Sequence, residues 1–158
     1  MTMTIREAKE KDIPEITKLY DETVRAVNSK DYNEQEVEVW ASSAENPGMW
    51  KSRIAEQYFI VAEADGMVVG FSSIALDGYL DYMYVHKDYQ RKGAARKLLE
   101  EIELKAVQQN NAEIYSHVSR TAKGFFEKHG YIHSGDKIDP FRGVVFVNSI
   151  MKKKINIA

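Results

Sequence analysis

Residues 58–86, YFIVAEADGMVVGFSSIALDGYLDYMYVH, restrict the fold more than any other part of the chain. β-Branched and aromatic residues dominate this stretch, and the dipeptides Asp65-Gly66 and Asp77-Gly78 interrupt it. Asp-Gly supplies the positive φ angles that a tight hairpin turn needs. The stretch therefore reads as three antiparallel strands, near 57–64, 67–76 and 79–86.

The segments around it change period. "MTIREA" alternates Met3, Ile5 and Ala8 with polar neighbours, a short first strand. Ile13, Ile16, Tyr20, Val24 and Val27 then recur at helical spacing. Asp12 is the expected cap, with Glu15 three residues on as a capping-box variant. "NEQEVEVWASSAENPGMWKSRIAEQ" reads as one or two short helices broken at "NPG". After Gly93, the residues Ala95, Leu98, Leu99, Ile102 and Ala106 form a helical stripe. "AEIYSHVS" is a strand, "TAKGFFEKHG" a short helix stopped at Gly130, and "YIHSGDKI" and "GVVFVNSIMKK" a closing hairpin around "DPFRG". The order β-α-α-β-β-β-α-β-α-β-β describes one α/β domain spanning residues 1–158. Its segments should share a twisted, mostly antiparallel mixed sheet flanked by helices. The strands on either side of the long helix form the one expected parallel pair.

That long helix opens against its own dipole. Arg91, Lys92, Arg96 and Lys97 crowd the first turns of "YQRKGAARKLLEEIE", where a helix normally favours acids. A helix N-terminus behind a glycine-bearing link is an anion site, because its free N–H groups point outward. Gly93 lets the backbone approach a phosphate, and Ala94 and Ala95 keep the next turn small. A diphosphate is the simplest partner that accounts for the cations. The competing reading is a solvated helix start. Neither G-x-x-x-x-G-K-[ST] nor G-x-G-x-x-G is present. The net charge of -2 excludes any overall field that recruits nucleic acid or an anionic membrane. The chain has no cysteine, which excludes disulfides, thiolate metal sites and a cysteine nucleophile. The N-terminus lacks the apolar stretch of a signal peptide, and no apolar run approaches a membrane span. The expected location is cytoplasmic.

"YVHKDYQRKGAARKLL" resembles motif A of the GNAT N-acetyltransferase superfamily, whose core Q/R-x-x-G-x-G/A falls on Gln90, Gly93 and Ala95. "GYLDYMYVH" resembles the preceding strand, "TAKGFFEKHGY" the later motif B, and "IREAKEKDIPEITKLY" the usual opening. The ordered set covers nearly the whole chain. The resemblance implies a GNAT-type fold and an acetyl-CoA-dependent N-acetyltransferase acting on a primary amine of a small molecule or protein, by direct attack in a ternary complex. An inactive domain that binds acetyl-CoA or CoA is the alternative. No metal is implied, and a homodimer is allowed although no stretch marks an interface.

Residue by residue, the resemblance places the pyrophosphate on the backbone of Arg91, Lys92, Gly93, Ala94 and Ala95, with Gln90 in the loop and Arg96 close by. The pantetheine arm and thioester fall on Met83, Tyr84 and Val85. In relatives the base is often an acid on this strand, and Asp81 is the only acid in "YLDYMYVH". Strand parity puts Asp81 on the face of Met83 and Val85, where burial would raise its pKa. Motif B departs from the pattern: Ser119, Ala122 and Phe126 stand where Asn, Ala and a proton-donating Tyr are usual. Ser119 can still bond the cofactor's amide arm, and Phe126 lies against the cofactor without a proton to give. Tyr82, Tyr84, Tyr115 and Tyr131 are the hydroxyls that replace it, Tyr84 first among them, unless the thiolate leaves unassisted.

His86 and His117 lie near the same strands and are alternative bases, against the plainer reading that each is a polar strand or loop residue. His129 and His133 are separated by Gly130, which argues against a metal pair. Trp40 is a candidate for the acceptor pocket, against the plainer reading that Trp40 and Trp50 anchor short helices. Arg142, in the last turn, is a candidate for an acceptor carboxylate, although exposed turn arginines are common.

Overall fold

The computed structural model describes residues 2–155. Among these, seven strands and five α-helices run in the order β1 (Thr4–Glu7), α1 (Ile13–Ala26), α2 (Glu34–Ala41), α3 (Pro47–Glu56), β2 (Tyr58–Ala64), β3 (Met67–Ile74), β4 (Leu80–Val85), α4 (Ala94–Gln108), β5 (Glu113–Val118), α5 (Lys123–Lys128), β6 (Ile132–Phe141) and β7 (Val144–Lys154). Asn33 and Asn46 cap α2 and α3 by accepting from the N–H groups of Glu36 and Met49, which is why the helical segment breaks at "NPG".

The strands divide into two antiparallel sheets, β1-β2-β3-β4 and β5-β7-β6. The expected parallel pair is reduced to one bridge, Tyr79 with Tyr115. Beside it the Tyr115 N–H donates to the Gly78 carbonyl at 3.1 Å and the Ser116 hydroxyl to the Leu80 carbonyl at 2.7 Å. Past this point β4 and β5 diverge. The cause lies in β4. Ser73 pairs with Tyr82 but Ile74 pairs with Leu80, so Asp81 is the extra residue of a β-bulge. A bulge bends its strand and increases the local twist. The two sheets therefore meet at one end and leave a wedge at the other.

Two apolar clusters flank the first sheet. Leu98, Leu99, Ile102 and Ala106 of α4 pack with Ile60, Val69, Leu80 and Ile114 on one side. On the other, Ile16, Leu19, Tyr20 and Val24 of α1 pack with Trp50, Phe59, Phe71 and Val61. Helices on both faces explain why β2 and β3 are apolar almost throughout. The last hairpin is longer than expected, because β6 runs through Pro140 to a tight turn at Arg142-Gly143. Pro140 is tolerated because β6 is an edge strand.

The first helix is not capped as expected. Asp12 is buried, accepts from the Lys9 N–H at 2.8 Å and receives two bonds from the Arg6 guanidinium at 2.8 and 2.9 Å. Glu15 accepts instead from the Val68 N–H at 3.0 Å. The Arg6 bonds hold the Asp12 carboxyl below the usual carboxylate range. A lowered value means stability that is present above the unfolded value of about 4 and lost as pH falls through the folded one. Arg6 is a third exposed, which moderates the pair. Asp12→Asn should cost about 2 kcal/mol at neutral pH by urea denaturation. The gap from wild type should close as the pH is lowered below about 4.

Candidate active site

The wedge between β4 and β5 is a cleft of about 1570 Å³. The N-terminus of α4 forms one end of it. Gly93 sits at φ +88 and Arg91 at φ 60, so the link makes two left-handed steps before the helix begins. An added Cβ at Gly93 would meet nothing within 4 Å, so the loop is open on the ligand side. The first helical bond runs from the Lys97 N–H to the Gly93 carbonyl at 3.1 Å. The backbone N–H groups of residues 91–96 have no protein partner among the described residues. They form a concave donor row at the positive end of a 15-residue helix.

The side chains around this row divide. Arg91 and Arg96 line the cleft, and Lys92 turns back over the Tyr89 ring at 5.3 Å. Arg96 also lies 3.5 Å from Glu100 in an exposed pair, which holds it only weakly. The Gln90 amide donates to the Val85 carbonyl at 2.6 Å, and the Thr23 hydroxyl donates to the same oxygen at 3.2 Å. Gln90 therefore braces the strand end. Met83, Tyr84 and Val85 line the near wall; Ser119, Ala122 and Phe126 line the far one. The Ser119 hydroxyl oxygen accepts from the Ala122 N–H at 3.2 Å, so it shapes the turn into α5. Phe126 is 2% exposed and packs edge-on against Tyr131. Its ring serves the core as well as the cleft.

At the closed end of the wedge, the bulge overturns the parity expectation. Leu80 and Met83 both face α4, so Asp81 does not share their face. Asp81 turns toward α3, where the Gln57 amide donates to Oδ2 at 2.9 Å and Arg53 Nε lies 3.1 Å from the same oxygen. It still lines the cleft. Asp81 is thus one half of an ion pair and not the isolated buried acid that parity implied. His117 lines the cleft from β5, with Nδ1 3.4 Å from the Tyr79 hydroxyl. Burial lowers its pKa, the nearby Lys137 adds to the shift, and neutral imidazole is favoured.

An aromatic wall closes the side of the cleft beside Trp40. The Trp40 indole N–H donates to the Tyr84 hydroxyl at 3.1 Å, and the neighbouring Tyr20 hydroxyl is a partner for the Tyr84 proton. Burial raises the Tyr84 pKa, so it stays protonated at neutral pH. Tyr84 is the one hydroxyl of the four candidates that lines the cleft. Tyr82 stacks on Trp50, Tyr131 donates to Glu103 at 2.8 Å, and Tyr115 donates to Asp77 and is pushed up to about 12 by that bond. The two tryptophans have different roles. Trp50 is fully buried between Tyr20, Phe71 and Tyr82 as an anchor, whereas Trp40 is half-buried and faces the cleft. Arg142 is outside the cleft, stacked on Phe141 at 4.9 Å and bonded to the Ser42 hydroxyl at 2.6 Å. His86 caps the short turn before Tyr89, and His133 lies 3.0 Å from Asp136. Among the described residues no three His, Asp or Glu side chains gather as a metal site. Sequence reasoning missed Arg53 on α3 and Gln57 just past its end, because nothing local names their partner.

This architecture, a split sheet with a row of unpaired helix N–H groups in the split, defines a class, and comparison with known proteins names it. Residues 28–155 match the family model described as "Acetyltransferase (GNAT) domain". The chain belongs to the GNAT acetyltransferase family and is an N-acetyltransferase, which implies an acceptor substrate. It is 29% identical over 150 residues, 95% of either chain, to the uncharacterized N-acetyltransferase YafP of Escherichia coli. Its fold resembles that of a GCN5-related N-acetyltransferase from Rhodopseudomonas palustris, with TM-score 0.93, 25% identity and coverage of 98% and 96% of the two chains. It also resembles the PaiA N-acetyltransferase of Thermoplasma acidophilum, solved with coenzyme A, at TM-score 0.80, 23% identity and coverage of 98% and 99%. Among the described residues no helix is long and apolar enough to cross a membrane.

Proposed function

We propose that this chain transfers the acetyl group of acetyl-CoA to a primary amine, by direct attack within a ternary complex in the cytoplasm. The observation that carries this reading is the row of unpaired N–H groups at residues 91–96, opening on the cleft beside Arg91 and Arg96. Such a row suits a pyrophosphate. The PaiA neighbour, solved with coenzyme A, supports the same ligand class. The pantetheine arm then runs down the wedge past Met83, Tyr84 and Val85, and the thioester reaches the closed end beside Asp81 and His117.

The chemistry requires a neutral amine, so an acceptor that arrives as ammonium first gives one proton to a base. Its nitrogen lone pair attacks the thioester carbonyl, a C–N bond forms, and the C–S bond then breaks. The nitrogen gives up a second proton as the amide forms, and the leaving thiolate takes one up. Holding the two reactants in line supplies much of the rate. Asp81 is the base in this reading. Arg53 and Gln57 hold its Oδ2, while Oδ1 has no protein partner among the described residues. Tyr84, which lines the cleft and keeps its proton at neutral pH, is the acid for the thiolate in this reading, once its proton turns from Tyr20. A second reading makes His117 the base, because it is neutral at the pH where the reaction runs.

Asp81→Asn separates the two. It should lower kcat by about a hundredfold or more and leave CoA affinity unchanged in calorimetry. If His117 is the base instead, Asp81→Asn keeps most of its activity and His117→Gln does not. The sign for His117 is fixed by its lowered pKa: the acid limb of the rate profile would then lie below pH 6.5. Acetyl transfer to a panel of amines, followed by CoA release, is the direct assay of the reaction itself.

A further inference from the structure

The lining of the cleft contains an asparagine whose amide has no role in the mechanism above. Asn28 follows α1 in a short turn of 3-10 helix at 28–30. It is 6% exposed and lines the cleft. Its backbone carbonyl accepts from the Asp31 N–H at 2.9 Å. Its side-chain amide is not among the polar atoms sealed in the interior without a partner. It opens on the cleft, where a ligand that passes through can pair with it.

The position of Asn28 says which part of a ligand it meets. The loop after β5 is tied to the same turn. The Tyr32 hydroxyl accepts from the Arg120 N–H at 3.0 Å, and the Thr121 hydroxyl donates to Asp31 at 2.8 Å. Ser119 is in that loop. Asn28 and Ser119 therefore line one passage of the cleft. On the proposed function, on which this inference rests, the pantetheine arm occupies that passage.

The arm carries two secondary amides, each with one N–H and one carbonyl. A single hydroxyl that already accepts from a backbone N–H, as Ser119 does, keeps its proton and one lone pair, both on one atom. An Asn side chain offers both a carbonyl and an NH2 group, so it can meet both halves of one secondary amide. We propose that Asn28 binds an amide of the pantetheine arm of acetyl-CoA, and that it supplies the amide recognition that Ser119 does not.

The test compares CoA with 3′-phospho-ADP, the part of CoA that lacks the arm. Calorimetric titrations use wild type, Asn28→Leu and Asn28→Asp. Leu removes both polar groups at similar size; Asp keeps the size, loses the donor, and serves if the Leu variant does not fold. Affinity for CoA should fall about tenfold in either variant, the effect of losing one or two hydrogen bonds. Affinity for 3′-phospho-ADP should not change. Unchanged CoA affinity would overturn the proposal, and so would an equal loss for both ligands, because that reports a general disturbance of the cleft. Wild type that binds neither ligand would instead overturn the acetyl-CoA reading on which the proposal stands.

Discussion

Gly93→Glu should abolish measurable CoA binding, a loss of more than a hundredfold, and leave a folded protein. Two effects act together. Gly93 holds φ +88, a conformation that a side chain strains by about 1 kcal/mol or more. The added Cβ itself meets nothing within 4 Å, so no clash forces the fold to change. The glutamate carboxylate then projects from the centre of the donor row, beside Arg91 and Arg96. It occupies the place of a phosphate and repels one. Charge-assisted hydrogen bonds contribute about 1.5–3 kcal/mol each, so losing two exceeds a hundredfold in affinity. Gly93→Ala carries only the strain and should bind CoA within about tenfold of wild type. Calorimetric titration reads both, and thermal melting shows that the fold persists. Equal CoA affinity in wild type and Gly93→Glu would remove the donor row from the binding site.

Gly78→Ala should have the largest effect on stability. A Cβ at Gly78 would lie 2.5 Å from the Glu113 carbonyl oxygen, and the residue holds φ +95. The obstacle is backbone, which cannot rotate aside. The same glycine accepts the Tyr115 N–H at 3.1 Å, one of the few bonds that join the two sheets. We expect a loss of about 3 kcal/mol or more, equivalent to a melting temperature lower by about 10 °C for a chain of this size. Because the seam sets the width of the wedge, CoA affinity should fall in parallel. A variant that melts with wild type would show that the seam is compliant.

The contrast between these two glycines marks how far the sequence could be read. Gly93 could be singled out, because four cations beside a glycine-bearing helix start are costly without an anion. Gly78 looked like an ordinary hairpin glycine, and the neighbour that forbids a side chain there, Glu113, is distant in sequence. The three central strands were legible because Asp-Gly turns and β-branched runs are local signals. The bulge at Asp81 was not. It arises from how β4 fits between β3 and β5, and a period-2 pattern conceals a one-residue slip. That slip moved Asp81 to the α3 side and gave it Arg53 and Gln57 as partners. Asp12 failed as a cap for a related reason: its guanidinium partner, Arg6, competes for the same carboxylate. Asn28 carries no sequence signal at all, since only burial distinguishes it from a surface asparagine.

The single bridge between Tyr79 and Tyr115 has a consequence for the lifetime of the protein. A sheet closed along its whole length would hold itself together. Here the two halves share one end, and the remainder of the seam is completed by whatever fills the wedge. A ligand that binds only the folded chain shifts the folding equilibrium by mass action, by about 2.7 kcal/mol at a hundred times its dissociation constant. On the proposed function, that ligand is acetyl-CoA. The fraction of chains open to proteolysis would then rise when the acetyl-CoA pool falls, and the abundance of the enzyme would follow the carbon supply that its reaction consumes.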